Sequence, residues 1–552
     1  MNGNLLWVDD EIDLLRPHII FLQKRDYEID TATNGPDAVD MCSRRTYDLV
    51  LLDENMPGMT GLEVLRHIKE VQPATPVVMV TKSEEENIMD QAIGSKIADY
   101  LIKPVNPSQV LLSLKKNIHR REIISETTQD SYRRSFSDIS EQISRCRTMD
   151  DWMDAYRRIV YWEIELSGPD TQMADILLTQ KEEANAAFAK FVKDNYLGWI
   201  ASMDVKGAPA AGKTDSRLAA LRAAVVSKNR GKGANAAEQA GERPLMSPDI
   251  MAKKVFPLVD SGQKVFLVVI DNFRFDQWRT LAGEIGGAFD IEEQMCLSIL
   301  PTATQYARNA IFSGLMPSEI QRMYPDMWVS EDEDEGKNQY EKQLLKAQMD
   351  RLGKRYKFSY HKVNDAADAE KLERQLPQME GNDLNVAVFN FIDQLSHTRT
   401  ESKMFYELAR DESAYRSITL SWLRHSMLAG LLRQLANAGH TVVVATDHGS
   451  IRVSRPVKIV GERNTNTNLR YKTGRNLSYD AKEVFAVKQP GAAMLPSPNI
   501  STSYVFATGA SFFAYPNNYN HYVSYYKDTF QHGGVSMEEM LTPLAIMKPK
   551  KR

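Results

Sequence analysis

Residues Val265–Asp271 read VFLVVID, a continuous apolar run that ends in a carboxylate. Two later stretches repeat the arrangement: Val386–Asp393 (VAVFNFID, followed by QLSH) and Thr441–His448 (TVVVATDH). An unbroken β-branched run of this length predicts a strand covered on both faces, and therefore a parallel or mostly parallel sheet. In such sheets ligands bind beyond the carboxyl ends of the strands. The three runs then deliver Asp271, Asp393, His397, Asp447 and His448 to one edge, which is the outline of a metal site.

Working outward, Pro301-Thr302-Ala303-Thr304-Gln305 precedes an Ala-rich helical stretch, Tyr306–Ser313, closed by Gly314. Thr304 falls where that helix begins, so a phosphate beside it gains free backbone N–H groups and the helix dipole. A hydroxyl there, ligated to a metal, loses its proton more easily and becomes a nucleophile. Asp393 and His397 have i, i+4 spacing and project to one side of a helical turn. Asp447-His448 is followed by the permissive Gly449, and His532 lies downstream in FQHGG. One metal needs about four ligands, and this edge offers more candidates than that, a number suited to two Zn²⁺ ions a few ångströms apart. The His/Asp mixture favours zinc over manganese as a tendency.

The chain has 552 residues, too many for one core, so several domains are expected. With 43% hydrophobic and 26% charged residues it has the composition of a soluble globular protein. A net charge of −5 argues against a dedicated duplex-DNA binder. Cys42, Cys146 and Cys296 are odd in number and far apart, which predicts reduced thiols. The acidic N-terminus carries no signal-peptide pattern, and no run approaches membrane-spanning length, so a cytoplasmic location is expected.

Residues 1–122 alternate strand and helix patterns: strands at Leu5–Val8, Tyr27–Ala32, Asp48–Leu52, Pro76–Val80 and Asp99–Ile102, helices at Glu11–Lys24, Gly35–Arg44, Gly61–Val71, Glu84–Ile93 and Pro107–His119. This predicts a doubly wound, flavodoxin-like α/β domain. Asp9, Asp10, Asp53, Thr81 and Lys103 stand at its strand ends. Carboxylate oxygens there suit Mg²⁺ and the lysine suits a phosphoryl group. With Tyr100 three residues before Lys103, the set resembles the receiver domain of two-component response regulators. The resemblance implies that Asp53 accepts a phosphoryl group from a histidine kinase, that Asp9, Asp10 and Asp53 hold Mg²⁺, and that Thr81 and Tyr100 form the switch pair.

Residues 123–204 show helical periodicity over Asp150–Leu166 and Thr171–Phe191, with Asp170 as N-cap, which predicts a small helical bundle. Aromatic residues at that spacing read as core more readily than as a partner surface. Residues 205–250 turn to Gly, Ala, Lys and Ser and read as a flexible linker. Ala-Gly-Lys-Thr at 211–214 lacks the earlier glycine of a phosphate loop and follows no strand.

In residues 251–548 the order Asp, Thr, Asp-x-x-x-His, Asp-His, His resembles the alkaline phosphatase superfamily, in particular its nucleotide phosphodiesterase branch and the PglZ-type domain. Carried over, the resemblance implies one zinc on Asp271, Thr304, Asp447 and His448 and a second on Asp393, His397 and His532. Thr304 would form a phospho-threonine intermediate. Asn309 is the candidate to hold the oxyanion, with Arg308 and Asn272 behind it. Thr302 is a second hydroxyl nearby. Arg452–Arg475 interleaves basic residues with Asn, Thr and Tyr471; Arg463, Arg470, Tyr471 and Lys472 are its candidates for contact with single-stranded nucleic acid or a nucleotide phosphate tail. Glu331–Glu335 (EDEDE) reads as a solvated loop or lid.

No helix-turn-helix segment is evident after the receiver pattern. The whole chain resembles response regulators whose output is a PglZ-type domain and which control type IX secretion. That implies a cognate histidine kinase, phosphodiesterase activity on short or cyclic oligonucleotides, a sigma factor downstream, and a homodimer formed on phosphorylation. The alternative is a phosphorylation-dependent protein-binding scaffold whose zinc domain is structural or acts on phosphomonoesters.

Overall fold

The structure, a computed structural model, describes residues 3–72, 75–81, 98–167, 171–203, 243–331, 333, 336–401, 411–462, 465–517 and 519–550. The side chains at 100, 102, 115, 116, 118–128, 171, 172 and 397–401 fall outside the description. Also outside it are the expected helix Glu84–Ile93, Asp170, the Ala-Gly-Lys-Thr segment and Arg463. The chain divides into two compact units, Met1–Arg134 and Ser135–Arg552.

In the first unit, strands β1 (Gly3–Val8), β2 (Tyr27–Ala32), β3 (Leu49–Asp53), β4 (Val77–Thr81) and β5 (Asp99–Ile102) form one sheet in the order β2-β1-β3-β4-β5. Every pairing is parallel. This is the flavodoxin-like order, with its switch point between β1 and β3. The central strands β1, β3 and β4 are mostly apolar because both faces are covered, while the outer strands β2 and β5 carry Glu28, Asp30 and Asp99. Leu6, Val8, Val50 and Leu52 pack into one core, and Leu5, Trp7, Leu49 and Leu51 into the other. Thr60 and Glu63 make a capping box that starts the helix Gly61–Val71. The last helix runs Pro107–Arg145, well beyond the expected His119. No Gly or Pro interrupts residues 119–145, so nothing in the chain stops it.

The second unit opens with the helices Met149–Glu165 and Thr171–Ala201. Trp152 packs on Phe188 and Phe191, and Phe191 on Trp199, so the aromatic spacing is core, as expected. The large sheet contains β6 (Val265–Ile270), β7 (Phe289–Leu297), β8 (Phe358–Val363), β9 (Leu384–Phe389), β10 (Thr441–Ala445) and a C-terminal strand, Leu541–Pro549. Six short strands precede the last one: β11 (Ile451–Arg452), β12 (Arg455–Lys458), β13 (Tyr471–Gly474), β14 (Val484–Val487), β15 (Ser503–Ala507) and β16 (Ser511–Ala514). β17 (Phe530–Gln531) is a seventh, so the C-terminal strand Leu541–Pro549 is β18. The large sheet runs β7-β18-β10-β6-β9-β8. β10, β6, β9 and β8 are mutually parallel, while β18 lies antiparallel to both β10 and β7.

Three of the candidates in the basic stretch 452–475, Arg470, Tyr471 and Lys472, differ from their expectation as ligand contacts. Arg470 is 0% exposed and Lys472 1%. Arg470 is ion-paired with Glu539 at 2.6 Å, the Lys472 ammonium donates to the Asn466 carbonyl at 2.8 Å, and the Tyr471 hydroxyl donates to Glu331 at 2.6 Å. These side chains are interior struts and present no charge to a ligand. Glu331 likewise accepts from Tyr306, Tyr471 and Asn466 and is no solvated loop acid.

Candidate functional site

Three adjacent parallel strands place the site. Ala445 of β10 pairs in register with Val269 of β6, and Ile270 of β6 with Phe389 of β9. The chain leaves all three at the same edge. Asp271 follows β6, Asp447 and His448 follow β10, and Asp393 sits in the first turn of the helix Phe391–Glu401 after β9. Asp271, Asp447 and His448 are buried and each offers one atom within 4.8 Å of the others.

Thr304 opens the helix Thr304–Ser313, whose C-cap Gly314 has φ +64°. Its Oγ1 lies 3.1 Å from His448 Nε2 and 3.4 Å from Asp271 Oδ1. The His448 Nδ1 faces the Gly449 carbonyl at 3.1 Å, which leaves Nε2 as the lone-pair nitrogen toward Thr304. Arg308, one turn further along this helix, donates from Nη1 to Asp271 Oδ2 at 2.8 Å and from Nε to Glu341 at 2.6 Å. One oxygen of Asp271 is thus anchored and the other faces the Thr304 hydroxyl. Sequence reading put Arg308 only behind the oxyanion candidate and missed Glu341. The signal available was an arginine i+4 from Thr304 on the same helix face.

The second candidate set is held nearby. His532 Nε2 is 3.6 Å from Asp393 Oδ1, and the His532 ring stacks on His448 with centroids 4.3 Å apart. The Asn272 amide donates to Asp393 Oδ1 at 3.2 Å from a backbone at φ +60°. The His397 side chain lies outside the described residues. Asn309 does not fill the oxyanion role expected of it. Its amide nitrogen donates to the carbonyls of Gln305 and Lys337, at 2.9 and 3.0 Å, so it secures a loop. Thr302 is likewise structural: its buried hydroxyl donates to the Gly534 carbonyl and accepts from Gly533 N–H, clasping the His532 loop.

The electrostatics ask for a cation. Burial pushes the Asp271 carboxyl well above the usual range, the neighbouring Asp447 and Asp393 add to this, and Arg308 opposes it. Burial also raises Asp447 and lowers His448. Asp447 Oδ2 is buried with no hydrogen-bond partner; Arg308 Nε and His448 Nε2 approach no closer than 3.9 Å. An orphaned carboxylate oxygen beside a second carboxylate and a lone-pair imidazole nitrogen is a donor set that fits a divalent metal.

In the receiver unit, Asp9, Asp10 and Asp53 bring carboxylate oxygens within 4.8 Å of one another. Lys103 Nζ reaches Asp9 at 2.8 Å and Asp53 at 2.9 Å. Burial raises the Asp53 carboxyl, and Asp9 adds to this against the pull of Lys103. Thr81 is buried at the end of β4, and its carbonyl accepts from Lys103 N–H at 2.6 Å. The Tyr100 side chain lies outside the described residues.

A phosphoacceptor cleft on one unit and an alkaline-phosphatase-like edge on the other define a response regulator with a phosphoesterase-class output domain. Family models bear this out: a response regulator receiver domain matches residues 5–115, the PorX response regulator linker domain 122–200, and the BREX system PglZ alkaline phosphatase-like domain 250–547. The chain belongs to the PglZ alkaline phosphatase-like family, in the arrangement of a PorX-type response regulator. Over 116 residues it is 40% identical to the transcriptional regulatory protein ResD of Bacillus subtilis, which covers 21% of this chain and 48% of that one. It is 32% identical over 122 residues to SrrA of Staphylococcus aureus, covering 22% and 50%. The match thus spans about half the length of these curated relatives. Among solved structures, the chemotaxis protein CheY4 of Vibrio cholerae is 28% identical with a TM-score of 0.20, over 21% of this chain and 98% of that chain. A receiver implies a cognate histidine kinase. Receiver domains bind Mg²⁺, and alkaline-phosphatase-like domains use metal ions. Among the described residues no helix is long and apolar enough to cross a membrane.

Proposed function

We propose that the chain is a response regulator phosphorylated on Asp53 whose output is a zinc-dependent phosphodiesterase with Thr304 as nucleophile. The observation that carries this is the Thr304 hydroxyl at a helix N-terminus, 3.1 Å from His448 Nε2 and 3.4 Å from Asp271. Asp271, Thr304, Asp447 and His448 would hold one zinc, and Asp393, His397 and His532 the other. Bound metal supplies positive charge that favours the alkoxide and the developing phosphoryl charge. Thr304 Oγ, its proton given up to solvent, forms a bond to phosphorus, and the ester P–O bond breaks with its electron pair leaving on the departing oxygen, which takes a proton from water. The free N–H groups of the helix face the phosphoryl oxygens. Water then cleaves the phospho-threonine and restores the hydroxyl. Arg308 keeps Asp271 oriented throughout.

Asp9, Asp10 and Asp53 would hold Mg²⁺ in the receiver, and Thr81 with Tyr100 would relay the charge on Asp53. Oligonucleotide or cyclic oligonucleotide substrates, control of type IX secretion, a sigma factor partner, dimerisation on phosphorylation and a cytoplasmic setting rest on the family resemblance. The test is metal content by elemental analysis together with hydrolysis of bis-p-nitrophenyl phosphate, for wild type and Thr304→Ala. The expected outcome is about two zincs per chain and turnover lost in the variant. Zinc without turnover in the wild type would leave a scaffold that signals through protein contact, and a chain without metal would refute the site.

A further inference from the structure

The loop between β7 and Thr304 is anchored residue by residue. Ser298 N–H donates to the Met540 carbonyl at 2.8 Å, and its hydroxyl to the Asp447 carbonyl at 2.6 Å. Ile299 N–H donates to Ser247 Oγ at 3.2 Å. Leu300 N–H donates to the hydroxyl of Tyr196 at 2.8 Å. That last anchor comes from the linker helix Thr171–Ala201. Leu300 and Tyr196 are both 0% exposed, so no water stands ready to replace the phenol oxygen. The Tyr196 ring is itself fixed edge-on against Phe485.

The same helix grips the other side of the site. Asn185 Oδ1 accepts Met537 N–H at 2.8 Å, and its amide donates to Glu538 at 3.0 Å. Lys181 bridges Glu538 and Glu163, each at 2.8 Å. The turn so held carries Glu539, whose carbonyl accepts from Gly449, beside His448, and whose carboxylate accepts from Gly534, two residues past His532. Asn185 and Tyr196 are eleven residues apart on one helix, about 16 Å at the usual rise. One rigid rod therefore touches the nucleophile loop and the turn behind both histidine loops. Nearer its start, Gln180 donates to the Phe136 carbonyl and to Ser140, on the end of the helix Pro107–Arg145 that continues from the receiver.

We propose that the linker helix is part of the esterase site, with Tyr196 as a positioning residue that sets the Thr304 loop and Asn185 as its counterpart at the Met537–Glu539 turn. This rests on the reading of Thr304 as nucleophile. A displacement of the rod moves Thr304 against the ligand set without any change in the ligands themselves.

The experiment uses the full zinc-loaded chain and bis-p-nitrophenyl phosphate, with Thr304→Ala as reference. Tyr196→Phe removes one oxygen and keeps the ring. The expected result is a kcat about ten-fold lower, with KM and zinc content unchanged. Amide hydrogen exchange at Leu300, read on a peptide spanning 298–304, should quicken in the same variant. If Thr304→Ala is inactive while Tyr196→Phe turns over within two-fold of wild type, or if Leu300 exchange is unaltered, the inference fails and the nucleophile reading stands. If Thr304→Ala remains active, the nucleophile reading fails first. Asn185→Ala, expected to lower kcat in the same sense, checks that the effect belongs to the helix rather than to one phenol.

Discussion

Single residues in this fold carry charge where water cannot reach, and their roles follow from who answers that charge. Arg470 is answered by Glu539, and Arg274 by Asp276 and Glu412. Among the described residues Lys472 is answered only by a carbonyl and by the face of Tyr515, with Nζ 4.8 Å from the ring centroid. Burial pushes its ammonium down to about 7 from a usual 10.5. The unfolded chain therefore binds a proton that the folded chain lacks between about pH 7 and 10, and stability rises with pH across that window. Below it the full penalty of a buried charge remains. Lys472→Met should stabilise the chain by roughly 2–4 kcal/mol at pH 6, and the gain should fade by pH 10. Urea midpoints at the two pH values check this; a gain that does not change with pH would mean that folding leaves the lysine's protonation unshifted. The thiols obey the same burial rule. Cys42 is pushed up to about 11 and Cys146 to about 12, so native alkylation at pH 8 should be slow beside the unfolded chain, as thiol mass-labelling would report.

At the scale of elements, the sequence was legible where one physical rule dominated. Val265–Ile270 had to be a doubly covered strand because every side chain is apolar, and Thr304 had to open a helix because the apolar period starts there. β7 was opaque, since FDIEEQMCL mixes charges into an outer strand, and β18 holds Pro543 in a ladder that sequence rules discourage. Arg470, Tyr471 and Lys472 were misread because a basic run looks the same whether it faces solvent or inner partners such as Glu539 and Glu331, 69 and 140 residues away in the chain. The partner of Asn185 lies 353 residues on, and no local pattern announces it. Such long-range polar contacts are testable through the linker. Lys181→Met strands Glu163 and Glu538, both within 2.8 Å of its ammonium. The loss should be about 3–5 kcal/mol and should be largely restored by adding Glu163→Gln and Glu538→Gln. Denaturation midpoints of the single and triple variants decide it; an unchanged single variant would show that the ion cluster adds nothing.

At the scale of the whole molecule, two compact units with separate acidic sites should answer different ions. Asp271 and Asp447 both have raised carboxyl pKa values, chiefly from burial. For a raised carboxyl the sign is fixed: the metal-free chain keeps this contribution below the unfolded range near 4 and loses it as pH climbs through the folded value. Zinc held as proposed would invert that order, because it would bind the ionised carboxylates and the neutral His448 nitrogen and so compete with protons. Its stabilisation should be greatest near pH 7.5, about 2.7 kcal/mol at a hundred-fold excess over Kd, and should shrink toward pH 5. Calorimetry should show this shift in the transition of the larger unit, Ser135–Arg552, while Mg²⁺ raises that of Met1–Arg134 through Asp9, Asp10 and Asp53. Asp447→Asn separates the two effects. Without metal the variant should melt higher than wild type at pH 7.5, because one buried charge is gone, and zinc should then add little. A zinc shift of equal size at pH 5 and pH 7.5 would place the ion elsewhere than on these buried carboxylates.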